Sequence, residues 1–404
     1  MRVGVLGGGL QGCCVALALA DRGIDVTIFD LNDALITRAG AANEGKVHLG
    51  YMYAADPSLR TAKRMMAGAL AFEPFLKRHL GAGSAAFATS MPATYAVHVK
   101  TQGSVEQVAD YLQATHALIG EHAQHPDTSY FGMDLDAPLR RWSETELEAA
   151  YSREHIAAAF DTPEVAINPV VLARALRDSI AAHSRIELRL GHRVAGAQPG
   201  EDGVTVQASD GRGELEESFD QVVNCLWDGR LKLDQSVGLK TERVWMHRLK
   251  YGVSCTLPEG APVPPSTTFV SGPFGEVVSY GAGLTYLTWY PTCLREISHD
   301  VAPPDWANYP SEPLRSEILD GTVEAMGEIV HALGTLAVED LIEPAVKGGA
   351  IVAWGETDIY DPGSELHNRY DIGITSVGHF HSIDPGKLTM APLFAEQIAD
   401  RIAG

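Results

Sequence analysis

The sequence predicts an α/β chain: a Rossmann-like dinucleotide-binding domain built from discontinuous segments, with an antiparallel-sheet substrate domain (α+β) inserted between them. Three observations carry this. A strand, a glycine-rich turn, a helix and a second strand open the chain. Helical periodicity and strand-like runs then interleave along the sequence. No internal repeat or low-complexity linker separates the pieces.

The opening stretch, MRVGVLGGGLQGCCVALALADRGIDVTIFDLND, admits two readings. Arg2, the apolar run from Cys13 to Ala20 and the small residues Ala18 and Ala20 have the form of an export signal. Four glycines, at 7, 8, 9 and 12, interrupt that apolar region, and one basic residue is a weak leader. The dinucleotide reading explains more residues. Val3, Val5 and Leu6 form a strand, Cys13 to Arg22 continue a helix, and Val26 to Phe29 form a strand ending at Asp30. Gly7 permits the tight turn, Gly9 lets backbone approach a pyrophosphate, and Gly12 lets the helix pack closely on the strands. The pyrophosphate would sit on the free amides near Leu10 and Gln11. Asp30 lies 18 residues beyond Gly12, near the spacing of roughly 20 at which an acid meets the adenosine ribose, beside Leu31.

Further along, helices are predicted over 58–81, 105–121 and 169–183, and a capping box at Ser143-Glu144-Thr145-Glu146 opens a short one. Strand-like runs cover 244–257 and 276–290. A hairpin is expected at 203–211, with a buried strand at 219–225. The expected division places 1–80, 155–240 and 340–404 in the nucleotide-binding domain and 81–154 and 241–339 in the substrate domain.

Composition bounds the function classes. A net charge of −21 argues against nucleic acid or an anionic membrane as partner, while leaving room for a local basic site. No apolar run is long enough to span a bilayer. Five cysteines, two of them adjacent, do not make a disulfide framework, and no metal motif is present. These features describe a cytoplasmic enzyme with a small-molecule substrate.

Nicotinamide and flavin cofactors both use such a fingerprint, and the segment after Asp30 separates them. Ala39-Gly40-Ala41-Ala42-Asn43-Glu44-Gly45-Lys46-Val47-His48-Leu49-Gly50-Tyr51 resembles the D-amino acid oxidase-like family of FAD-dependent oxidoreductases. So do His192-Arg193-Val194, Val222-Val223-Asn224-Cys225, and the stretch from Gly378-His379-Phe380 to Pro385-Gly386-Lys387-Leu388-Thr389. Two departures stand out: Cys225-Leu226-Trp227 replaces the Ala-Gly of many relatives, and the C-terminal loop is long and rich in histidine.

The resemblance implies FAD, held by Gly7, Gly9, Leu10, Gln11, Gly12, Asp30 and Leu31, then by Asn43, Gly45, Lys46, Val47 and His48. Val194, Asn224 and Cys225 would contribute from the middle of the chain, and Gly386, Lys387, Leu388 and Thr389 from its end. It implies hydride transfer from a substrate carbon next to nitrogen or oxygen, with dioxygen or another acceptor reoxidising the flavin. His48, His381 and Lys387 are the catalytic candidates, with Lys387 also holding a substrate carboxylate as in sarcosine oxidase-like relatives. Tyr51, Arg248 and Tyr280 join it as substrate-binding candidates; Lys46 and Lys347 are alternative cations. The inserted sheet also offers Tyr251, Tyr286, Trp289 and Tyr290. Oxidation of a carbon–nitrogen bond is the first expectation. Hydroxy-acid or alcohol oxidation, an NAD-dependent dehydrogenase and a non-catalytic flavin-binding protein are the alternatives.

Overall fold

The computed structural model describes residues 1–404 apart from 82–86, 88, 124, 126–127 and 242. A six-stranded sheet holds the chain's opening strand at its centre. Its order is Gly373–Val377, Phe380–Asp384, Gln221–Asn224, Arg2–Leu6, Asp25–Phe29, Ile186–Arg189. All neighbours run parallel except the pair Gly373–Val377 and Phe380–Asp384. The helix Leu10–Ala20 is buried along its whole length. This explains its uniformly apolar sequence, since a helix covered on every side has no polar face to present. The export reading of this stretch gives way: both elements are core.

The second sheet draws strands from across the chain. Its order is Leu294–Ser298, Trp245–Thr256, Leu284–Trp289, Gly275–Ser279, Thr267–Phe269, Thr94–His98, Ile156–Asp161, Arg140–Arg141, with Ile342–Trp354 also paired to Trp245–Thr256. Pairing is antiparallel except between Thr267–Phe269 and Thr94–His98. Strand-like 276–290 is two strands, broken where Gly283 takes a φ of +78°. Two strands lie across the expected domain division. Ile342–Trp354 and Ile156–Asp161, expected with the nucleotide-binding segments, bond into the second sheet.

A three-stranded antiparallel sheet (Arg193–Pro199, Val204–Asp210, Gly213–Phe219) covers one end of the first. Phe219 packs edge-on against Phe29 and lies where a Cβ on Gly4 would be, 3.0 Å from it. Helices form at Arg60–Leu80, Val105–Ala123 and Pro169–Ala182, and Ser143 and Glu146 make the expected reciprocal cap. All five cysteines are buried and free. Among the described residues no helix is long and apolar enough to cross a membrane, and no cluster of metal-ligating side chains is found.

Candidate active site

A cavity of about 790 Å³ runs from the glycine turn to the second sheet, toward the upper end of the ordinary range for ligand sites. Its nucleotide end contains Gly7, Gly9, Leu10, Gln11, Asp30, Leu31, Val194 and Cys225. The three fingerprint glycines serve different masters. A Cβ on Gly12 would fall 1.8 Å from the Gly7 carbonyl oxygen, and one on Gly7 2.6 Å from the Cys225 carbonyl oxygen. Both are required by the chain's own packing. A Cβ on Gly9 would meet no protein atom within 4 Å, so Gly9 leaves room for a ligand. Gly9 also caps the buried helix without any side-chain bond, leaving its first amides to an anion. Asp30 is held by the Gly8 amide (2.7 Å) and the Asn32 amide (2.8 Å).

Other expected cofactor contacts act from behind the wall. Asn224 donates to Asp234 (2.8 Å) and the Arg230 carbonyl (3.1 Å), turning its side chain away. Thr389 accepts from the His48 amide (2.9 Å) and donates to the Lys46 carbonyl (3.1 Å), joining the 46–48 segment to the final helix. Gly45, at φ +70°, permits close approach to Ile167, whose carbonyl a Cβ would meet at 1.9 Å. Val47 is fully buried and its carbonyl accepts from Tyr130. Asn43 faces the cavity, but its side chain ties its own loop at Ala39 and Gly45.

The central part of the cavity is lined by Glu44, Lys46, His48, Tyr53, Arg248, Lys250, Tyr286, Tyr290, Arg369 and the turn Pro385–Leu388. His48 Nδ1 lies 3.3 Å from Glu164 Oε1, while its Nε2, buried, has no partner among the described residues. Glu164 is fully buried. It also accepts from the Leu49 amide (2.7 Å) and the Tyr95 hydroxyl. Burial pushes its carboxyl pKa up, but His48, Lys46 and the Tyr95 bond outweigh burial and leave it below the usual carboxylate range. Lys46 is neutralised by Glu276 at 2.7 Å.

Lys387 reaches the cavity just before the final helix, Ala391–Ala403. Burial lowers its ammonium pKa, Glu44 draws it back up and Arg369 depresses it again, with a net fall. Glu44 goes the other way: burial raises it, yet Lys250, Lys387 and His48 bring it to about 2. Arg248 pairs with Asp358 at 2.8 Å.

Four of the catalytic and substrate-binding candidates lie outside the cavity lining. His381 sits in the strand Phe380–Asp384, where the sequence suggested a loop, and both its nitrogens are engaged, by Ser376 (2.7 Å) and Gln221 (2.9 Å). Burial and the nearby Arg401 and His379 lower its pKa to about 4. It is outside the cavity lining, as is Lys347. Tyr51 is fully buried against His116 (2.8 Å); Tyr53, two residues on, takes the cavity position. Tyr280 lies in the turn after Gly275–Ser279 and packs in one cluster with Tyr286 from the next strand, so alternation along a single strand does not place them together, and its hydroxyl donates to the Glu44 carbonyl. Sequence reasoning missed Glu164, Tyr53, Lys250 and Arg369. Only Lys250 carried a signal, standing two residues from Arg248 on one strand and hence on the same face.

A family model described as FAD dependent oxidoreductase (DAO) matches residues 2–288, more than half of the chain. The chain belongs to the DAO family of FAD-dependent oxidoreductases. It is 25% identical over 276 residues to an FAD-dependent monooxygenase of Fusarium mangiferae, covering 68% of this chain and 60% of that protein. The chain thus spans about three fifths of that curated relative. The fold resembles glycine oxidase from Geobacillus kaustophilus (TM-score 0.68, 14% identity, 99% of this chain and 94% of that one). Iminodiacetate oxidase from Chelativorans is similar (0.67, 14%, 99% and 95%), as is L-α-glycerophosphate oxidase from Mycoplasma pneumoniae with FAD bound (0.67, 14%, 100% and 94%). The cofactor of this DAO enzyme is FAD, not NAD, and the residues fit it. The uncapped helix and open Gly9 suit a pyrophosphate, Asp30 faces the nucleotide end, and Gln11 Oε1 is a buried acceptor without a partner among the described residues.

Proposed function

We propose that this enzyme oxidises a carbon–nitrogen bond of a small amine or amino acid that carries a carboxylate. The observation that carries the reading is Lys387, a cavity-lining cation with no carboxylate within ion-pair distance among the described residues, at the turn leading into the final helix. FAD, when bound, supplies the hydride acceptor. The chain's own contribution is placement: Lys387 seats the carboxylate, the aromatic wall of Tyr286 and Tyr290 excludes water, and orientation of the donor carbon follows from these contacts. That glycine oxidase and iminodiacetate oxidase share the fold supports an amine substrate.

A specific observation favours hydroxy-acid oxidation as the second reading. His48, backed by Glu164 and open at Nε2, has the arrangement of a general base. A hydroxyl needs such a base more than an amine does, because an amine loses its proton to solvent near neutral pH far more readily. Anaerobic mixing of the FAD-loaded protein with matched amino and hydroxy acids tests both. Flavin bleaching by amino acids alone supports the first reading, bleaching by hydroxy acids alone replaces it with the second, and bleaching by neither removes both.

A further inference from the structure

The charge at the centre of the cavity exceeds what one carboxylate requires. Arg248, Lys250, Arg369 and Lys387 all line it, and the acids set against them are Glu44, also in the lining, and Asp358, bound to Arg248. These four cations face Glu44 and Asp358, while Glu276 acts on Lys250 and Asp384 on Arg369 from beyond ion-pair distance, inside a chain whose formal charge is −21. Lys46 does not add to this, being paired with Glu276. Among the described residues no carboxylate lies within ion-pair distance of Lys250, Arg369 or Lys387. Among the described residues the Arg369 guanidinium bonds only the carbonyls of Leu366 (3.1 Å) and Val352 (3.4 Å), although the residue is buried.

Arg248 and Lys250 mark the two ends of this group of cations, and Arg369 acts on both Arg248 and Lys387. Arg248 and Lys250 project from the same face of the strand Trp245–Thr256, one strand period apart, or about 7 Å. Tyr290 lies between them. Arg248 Nη1 is 3.5 Å from its hydroxyl, and Lys250 Nζ is 4.8 Å from its ring centroid. On the arginine side, the guanidiniums of Arg248 and Arg369 repel one another, and Arg248 further lowers the pKa of Arg369 beyond the effect of burial. On the lysine side, Lys250 and Lys387 share Glu44 as their acidic neighbour. Tyr290, Glu44 and Glu276 hold the pKa of Lys250 up, but clustered like charges with one direct ion-pair partner among them, Asp358, are unfavourable unless an anion arrives to join them. A guanidinium fork suits a planar or tetrahedral oxyanion, and an ammonium a single carboxylate.

We propose that the substrate carries two anionic oxyacid groups, the α-carboxylate seated by Lys250 and Lys387 and a second, distal group seated by Arg248 and Arg369. This rests on the reading of the cavity as a site for a carboxylate-bearing substrate, and narrows it to a dianion. Amino or hydroxy dicarboxylates meet the requirement, as do acids with a terminal phosphoryl group.

Unreactive anions test this independently of the bond oxidised. The FAD-loaded protein is titrated with butyrate, glutarate and 4-phosphonobutyrate, following the perturbation of the flavin absorbance and, in parallel, heat. Glutarate or the phosphonate should bind tighter than butyrate by about tenfold or more, and whichever binds tighter identifies the distal group. In Arg369→Gln that preference should fall to within about threefold, and Arg369→Lys, which keeps the charge but loses the fork, should lie between. Bound FAD and the far-ultraviolet spectrum report folding; if Arg369→Gln fails to fold, the lysine variant decides, and an undiminished preference in it overturns the arginine seat. Equal affinity for all three anions in the parent protein overturns the dianion while leaving the carboxylate site standing. Binding of none of them by either signal overturns both.

Discussion

Single residues separate fold from ligand at this site. Gly12 and Gly7 are surrounded by backbone, whereas Gly9 faces open space. Its φ of −71° is one that any residue adopts. Gly9→Asp should therefore fold normally yet lose FAD, because its carboxylate stands in the pyrophosphate's place at the helix N-terminus. Equal flavin content in purified parent and variant would count against the placement. Lys387 allows a second test. A charged hydrogen bond contributes about 1.5–3 kcal/mol, so Lys387→Met should retain FAD while weakening capture of an anionic substrate by roughly tenfold to a hundredfold. The sign of its pH dependence follows from the lowered pKa. A cation is lost as pH rises through its pKa, so anion binding should fade in alkali earlier than for an ordinary lysine at about 10.4. Lys387→Arg should move that loss upward. A carboxylate without an amine is the proper probe, since nothing on it titrates in this range, and an unchanged alkaline limb in Lys387→Arg would assign the loss to another group.

At the scale of elements, three helical segments meet at one carboxylate. Glu396, on the final helix, bonds Arg22 (2.6 Å) after the first helix and Arg78 (2.9 Å) and His79 (2.8 Å) at the end of Arg60–Leu80. Burial raises the pKa of Glu396, but His79 and Arg22 bring it down to about 2. The folded value lies below the unfolded value of about 4.3. The stabilisation is thus present in full above that pH and lost as pH falls toward 2. After allowance for solvent screening it amounts to about 1–2 kcal/mol. Urea unfolding of Glu396→Gln should show a loss of that size at pH 7, narrowing as the pH is lowered through 4 toward 3. A pH-independent difference would indicate packing in place of charge. The element-level reading of the sequence succeeds where periodicity is long, as in Pro169–Ala182. It fails at Phe380–Asp384, because five residues are too few to show a period, and only pairing with Gln221–Asn224 and Gly373–Val377 makes them a strand.

Across the whole molecule, the cavity lies between sheets whose strands come from distant parts of the chain. Trp227 shows how they are joined. It occupies a left-handed conformation, φ +58°, and its indole donates to the Ala350 carbonyl in the second sheet at 2.7 Å. FAD bound between the layers favours the folded state by mass action, by about 4 kcal/mol at a thousandfold excess over Kd. The apoprotein should accordingly melt several degrees below the FAD-loaded protein, and readdition of FAD should restore the transition. Identical melting curves would mean that FAD does not bind the folded protein in preference to the unfolded chain.

The nucleotide unit was legible in the sequence because its determinants are local: glycines at fixed offsets, a short strand on either side, and an acid at the end of the second. His48 and Lys387, expected from the segments in which they lie, both reach the cavity lining. What the tertiary structure alone decided is which side chains converge. Tyr53 rather than Tyr51 faces the cavity because of how one turn is packed, and Glu164 meets His48 from 116 residues away. Arg369 joins Arg248 from a segment without periodicity. Charge compensation is a property of distances between side chains, and those distances are set by the pairing of strands far apart in the chain, which no local pattern encodes.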